Sequence, residues 1–436
     1  METVLQQART LLRNAALCDY CLGRQFARIW PNVNNAEKGR ALKLVMFLEA
    51  VRNRDNEFLV LLGSHGGLEE AFAYLKTIQT IAEKKNCWLC NGLFTDENFR
   101  KLAMKAEELL RGREFETFLV GAKASGEVVE REDVLRSLAG ITDGEDIRND
   151  VKREISKHFS SLTGKRIDFA SPDVVVTVDV FRDRVEVFEN PVFIKGRYLK
   201  HSREIPQSVW HCGQCWGRGC EKCGYTGKKY SLSVAELVGE PAKQLYQAAD
   251  YKFHAAGRED VDALVEGEGR PFILELKKPV KRSLPLPEVE KQINENAKGL
   301  ITVFFESYST RKEVRVIKQK SPMAAKTYLL KAVYPIDLEE AVVNQLEQHF
   351  KNIVVDQLTP LRVLRRRSER LRRKTVYEVD ARLLDSRTVL FRIVCQGGLY
   401  VKELVTGDGG RTNPSFADVL KAVPATMELT VVKVET

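Results

Sequence analysis

Eight of the nine cysteines in this 436-residue chain fall into four Cys-x-x-Cys pairs. Without an export signal, such pairs read as metal ligands rather than disulfides, because two thiolates at this spacing can converge on one tetrahedral ion. One set joins Cys18 and Cys21 to the distant Cys87 and Cys90, and two unrelated pairs are the plainer alternative there. The other set, Cys212, Cys215, Cys220 and Cys223, is tight and interleaved with Gly213, Gly217, Gly219 and Gly224, which let the backbone wrap closely around the sulfurs. Its spacing is that of a zinc knuckle or ribbon. Each set offers a full four-thiolate shell with no open position, which predicts two structural zinc ions and no hydrolytic metal. His211 adjoins the second set, but four cysteines already complete its shell. Cys395 stands alone in an apolar segment and reads as a buried, inert thiol.

The segment Gly257-Arg258-Glu259-Asp260, with Gly269-Arg270-Pro271-Phe272 after it, is a second place where chemistry could reside. A Gly-Arg pair before an acid, followed by a buried strand, suggests a carboxylate held at a sheet edge, where it could act as a nucleophile. A charged surface loop is the commoner meaning of such a match. Farther on, Arg362 to Lys374 holds seven arginines, one lysine and a single acid, Glu369. A solvated helix face is the usual meaning of a charge run, but so few acids favour phosphate contact. Arg365, Arg366, Arg367, Arg372 and Arg373 are the candidates for it. The six histidines lack the His-x-Glu arrangement of a zinc deaminase. No dinucleotide or phosphate-loop motif is found, so no nucleotide cofactor is expected.

These residues need elements to position them. Apolar spacing predicts helices through Leu42, Leu44, Val45, Leu48 and Val51, over 68–81, and over 151–162 with its end near Gly164. Strands are expected at 174–180 and 184–188, with a turn near Asp183. Residues 201–230 are poor in apolar side chains and rich in Gly and Cys. Beyond them, strands are expected at 272–276, 301–305, 313–317, 326–333 and 389–394, and a helix through Leu338, Val342, Leu346 and Phe350, capped by Asp337 and Glu340. The C-terminal half is therefore read as α+β with a large sheet. A net charge of +9 suits a polyanionic partner. No run of 18 apolar residues suggests a membrane span, and the first residues do not resemble a signal peptide, so a cytoplasmic location is expected.

The Gly257–Asp260 segment resembles the aspartate motif of pseudouridine synthases. More narrowly, Gly-Arg-Glu-Asp-Val-Asp with Gly-Arg-Pro-Phe is similar to the archaeal and eukaryotic synthases that modify uridines 54 and 55 of the tRNA T-arm. Lys326-Thr327-Tyr328 resembles that family's K-x-Y motif, and the stretch from Cys395 to Leu404 its G-x-Y-[IV]-[KR] motif. Gln357, Thr359, Pro360, Arg362 and Val363, and 407–415, look like its C-terminal signature. The resemblance reaches the N-terminal half: Cys18 to Phe26 is similar to the opening zinc motif, and Pro172-Asp173 with the following strand to a THUMP-type RNA-binding domain.

The resemblance implies that Asp260 is the nucleophile, that Lys402 pairs with it, that Tyr328 stacks on the target base and that Tyr400 lies against the site. Arg258 could contact phosphate or support the loop. It implies an α+β chain: a helical and THUMP-like zinc module over 1–200, a four-cysteine connector over 201–230, and a synthase domain over 231–436 built on a mixed, mainly antiparallel sheet. It implies catalysis without a cofactor, tRNA as partner, no membrane, no obligate protein partner, and a monomer. Leu264 stands where the family often has arginine, which bears on RNA contacts of the loop rather than on the nucleophile. A non-catalytic THUMP-type tRNA-binding protein or chaperone is the rival reading. A methyltransferase or thiolation enzyme would need a cofactor loop that is not evident.

Overall fold

The computed structural model describes residues 3–29, 31–365 and 367–435. It divides into two compact units, Met1–Asn190 and Pro191–Thr436. The boundary falls before the residue 200 expected from sequence, because the strand Val192–Lys200 belongs to the second unit, where it pairs with strands on both sides.

In the first unit, helices pack with a four-stranded sheet among the described residues, in the order Arg166–Ile167, Thr117–Lys123, Val174–Asp179, Arg184–Glu189. The helix Ile147–Thr163 places Ile147, Val151, Ile155 and Phe159 four residues apart on its buried face. Asp146 caps its start, and Gly164 ends it in the left-handed conformation (φ 69°). Phe159 meets Phe118 of the central strand edge-on, 4.8 Å between centroids. The expected turn lies at Asp183, itself left-handed (φ 50°).

The helix Asn35–Arg52 forms where expected but buries a different face. Gly39, Lys43, Met46 and Ala50 point inward, whereas Val45 and Leu48 are exposed. The cause is a close backbone crossing with the helix Asp19–Gly23. A Cβ on Gly39 would lie 2.0 Å from the Asp19 carbonyl oxygen, and one on Gly23 1.8 Å from that of Asn35. The buried Lys43 ammonium is satisfied by Asp19 and by the Gly66 carbonyl, each at 2.6 Å.

The second unit carries a ten-stranded sheet among the described residues. Its neighbours pair antiparallel except at one seam, where Thr426–Val434 runs parallel to Leu264–Lys277 through Thr430↔Leu264 and Val431↔Val265. The sheet is thus mixed and mainly antiparallel, as expected. Two expectations fail locally. Residues 313–317 lie in the helix Arg311–Lys320, which buries Val314 and Ile317; one helical turn separates them, a spacing too short to distinguish from a strand. Helix Glu340–His349 has no side-chain cap, because Asp337 instead accepts from Ser386 and Arg387, both at 2.8 Å.

Candidate active site

The parallel seam opens into a cleft of about 740 Å³. The loop joining strands Asp250–Ala255 and Leu264–Lys277 brings Gly257 to Asp260 to one wall, while Leu429, Val431 and Tyr328 from adjacent strands form another. Gly257 is required here: it is left-handed (φ 84°), and a Cβ would lie 2.6 Å from Lys326 Nζ.

The loop is held from beneath. Glu259 is buried against Arg270, whose Nε lies 2.8 Å from it, and it accepts from Tyr198 Oη at 2.9 Å. Lys200, also buried, donates to the carbonyls of Ile205 and Val261. Burial pulls Lys200 and Lys326 down to about 8. Glu259 therefore anchors the loop, and Asp260 beside it lines the cleft.

Asp260 is paired, but not with the expected lysine. Arg362 Nη1 donates to Asp260 Oδ1 at 2.9 Å, and Nη2 lies 2.9 Å from Oδ2. Lys402 Nζ instead reaches both oxygens of Asp262, at 2.8 and 2.6 Å. The helix Val401–Thr406 accounts for this. Successive helical side chains diverge by about 100°, so Lys402 and its neighbour Glu403 serve different partners. Glu403 is buried and accepts from Arg362 Nε at 2.6 Å. Burial alone would lower the Arg362 pKa, but Glu403 and Asp260 together raise it, keeping the guanidinium charged. Burial raises the Asp262 carboxyl, yet Lys402 outweighs it and holds it below its ordinary value.

The remaining expected residues sort clearly. Tyr328 is buried on the cleft wall, its phenol pushed well up by desolvation. Tyr400 lines the cleft, and Gln357 grips its backbone at both ends, donating to its carbonyl at 3.0 Å and accepting from its amide at 2.8 Å. Arg367 donates to Tyr400 Oη at 2.9 Å, and Arg372 lies over the Tyr400 ring at 5.6 Å. Both arginines line the cleft. Arg365 is exposed, Arg373 pairs with Asp356 at 3.1 Å, and Arg366 lies outside the described residues. Arg258 lies over the Trp210 ring, 5.1 Å from its centroid. Sequence reading missed Glu403 and the grip of Arg362 on Asp260, although both residues stand within motifs it had singled out.

The cysteines gather as two groups of four, with all sulfurs in each within 4.8 Å of one another. Cys18 and Cys90 are 3.6 Å apart in the first; Cys212–Cys220 and Cys215–Cys223 are each 3.9 Å apart in the second. A tetrahedron with metal–sulfur bonds of about 2.3 Å has edges of about 3.8 Å, so both groups fit a metal and are too open for disulfides. In the first, Arg24 Nη2 donates to Cys21 Sγ at 3.5 Å while Arg24 pairs with the buried Glu132 and Asp150.

Residues 193–435 match the family model described as Pus10, C-terminal, and 102–179 match the Pus10 THUMP domain, archaeal. The chain belongs to the Pus10 family. A tRNA pseudouridine synthase Pus10 of Thermofilum pendens is 38% identical over 432 residues, covering 98% of this chain and 94% of that one. Its counterpart in Methanocaldococcus jannaschii is 36% identical over 435 residues, 97% of this chain and 93% of the other. That of Korarchaeum cryptofilum is 40% identical over 348 residues, covering 80% and 92%. The region matched to the Pus10 C-terminal model contains the whole cleft and the second cysteine group.

Proposed function

We propose that this chain is a tRNA pseudouridine synthase, an isomerase acting on the T-arm at position 54, 55 or both, with Asp260 as nucleophile. The observation that carries this reading is the Asp260 carboxylate, gripped by Arg362 at the mouth of a cleft walled by Tyr328, Tyr400 and Val431. A guanidinium that meets both oxygens of a carboxylate fixes its orientation, which suits attack on a nucleoside. Isomerisation breaks the uracil–ribose bond at N1 and remakes it at C5, with a proton leaving C5 and one taken up at N1. Neither oxidant nor phosphate is consumed, so the residues of the chain suffice.

A uridine in a folded tRNA reaches such a cleft only after leaving its stack. Tyr328 then offers a ring face to the base, and Val431 and Leu429 give an apolar wall along which it can turn. Arg362 supplies the counter-charge to both oxygens of the carboxylate. Arg365, Arg367, Arg372 and Arg373 add positive charge for phosphates. The first unit, with its THUMP match, serves as the RNA-docking module, and residues from 191 onward form the catalytic unit. Zinc is the ion assigned to both cysteine groups, in a structural role. A cytoplasmic monomer acting without an obligate protein partner completes the reading.

The test is to incubate purified protein with an unmodified tRNA transcript and map pseudouridine by carbodiimide modification and primer extension. New stops in the T-arm are expected with wild type and none with Asp260→Ala. Tight tRNA binding without any stop, from metal-loaded wild type on several tRNAs, would leave a binding protein or chaperone instead.

A further inference from the structure

The Cys212–Cys223 knuckle is made of two matching loops. In the first, Cys215 is followed by Trp216 and Gly217; in the second, Cys223 is followed by Gly224 and Tyr225. All four of these following residues are left-handed, with φ of 54°, 92°, 56° and 62°. The Gly219 amide donates to Cys215 Sγ and the Gly227 amide to Cys223 Sγ, each at 3.3 Å. The loops therefore share one backbone plan, yet each places an aromatic residue where the other has glycine. Bulky side chains seldom adopt this conformation, and a site that keeps one there is a candidate for function.

Neither aromatic is used in packing. Trp216 is 78% exposed and Tyr225 77%. The surrounding charge is mainly positive, with Arg218, Lys222 and Lys229 exposed against the single acid Glu221. The knuckle also continues into the cleft wall. Lys229 donates its amide to the Trp210 carbonyl at 2.8 Å and lies over the Trp210 ring, and Trp210 lines the cleft with Arg258 stacked on it.

We propose that Trp216 and Tyr225 form a second RNA contact, a stacking platform for unpaired bases of the substrate that lie outside the cleft. This rests on the isomerase reading above for the identity of the RNA. Exposed aromatic rings among cations, continuous with a cleft that takes a nucleotide, match the chemistry of single-stranded RNA, where bases stack on rings and phosphates meet lysine and arginine. A protein partner would gain little from an isolated pair of rings ringed by like charges.

The test uses the full chain with Trp216→Ala, Tyr225→Ala, the double variant, and Trp216→Phe and Tyr225→Phe. The Kd for an unmodified tRNA transcript and the KM for pseudouridine formation are measured at fixed salt, and the metal content of each variant is checked. Each alanine is expected to weaken binding roughly five- to fiftyfold, with KM rising more than kcat falls and the phenylalanine variants close to wild type. Wild-type Kd in a metal-loaded double variant would overturn the platform and leave a protein partner as the use of this surface. Should wild type form no pseudouridine while the alanines still weaken binding, the isomerase reading fails and the stacking platform stands.

Discussion

Arg362 holds Asp260 by its two terminal guanidinium nitrogens, and its third, Nε, donates in turn to the buried Glu403. The grip is bidentate and backed, which lysine cannot reproduce because its ammonium is a single point of charge. Arg362→Lys and Arg362→Met are therefore expected to lower kcat by about 100-fold or more. Glu403→Gln should lower kcat with little change in KM, because Glu403 acts through Arg362. Lys402→Met, which removes the partner of Asp262, should slow the chemical step less than Arg362→Met. Single-turnover assays on one tRNA transcript separate these; a larger loss at Lys402 than at Arg362 would reverse the assignment.

Lys326 adds a pH-dependent stability. Its ammonium is buried in the cleft wall and pulled down to about 8 by desolvation, with the nearby Arg270 charge acting in the same direction. The unfolded chain keeps its lysine near 10.4. Below pH 8 both states carry the proton and the cost of burying it is present in full. Between the two values the folded state releases its proton first, so stability rises with pH across that window. Lys326→Met should thus be more stable than wild type by about 1–3 kcal/mol at pH 7, the gap closing above pH 8. Urea midpoints from pH 6 to 9.5 measure it, and a gap that widens with pH would contradict the assignment.

In the first unit, Arg24 is fully buried between Glu132 and Asp150. Burial alone would lower its pKa, but Cys21 and these acids raise it, so it stays charged. Arg24→Met would leave Glu132 and Asp150 with only Arg136 and Arg153 as counter-charges, at a cost of about 1–3 kcal/mol. The loss should appear in the unfolding of the first unit, and equal stability of variant and wild type would show that Arg136 and Arg153 alone compensate the two acids.

Metal content gives a fourth check. Elemental analysis should find two zinc ions per chain, one remaining in Cys18→Ser with Cys21→Ser, and one in Cys212→Ser with Cys215→Ser. Two ions retained in either variant would mean that its sulfurs are not ligands.

Much of this was legible in the sequence because the chemistry there is local. The cysteine spacing announced both thiolate groups, and the Asp260 loop, Tyr328 and Tyr400 meet in one cleft as their motifs implied. What sequence could not supply was direction. Lys402 and Glu403 are neighbours in the chain, and only the turn of their helix decides which one serves the cation holding Asp260. The buried face of the Asn35–Arg52 helix was hidden for a related reason. Gly39 and Gly23 carry no apolar signal, yet they set the crossing that leaves Leu48 in solvent.

The place of Val192–Lys200 has a consequence for anyone who would cut this molecule apart. The strand lies inside the large sheet, between Leu264–Lys277 and Ile301–Ser309, so both of its edges are occupied. A fragment starting at the cysteine knuckle would lose both ladders and leave the facing edges of Leu264–Lys277 and Ile301–Ser309 bare, inviting misassembly with other chains. Transplanting the catalytic half, whether by recombination or in the laboratory, requires the splice to fall at Pro191, upstream of every motif that marks the activity.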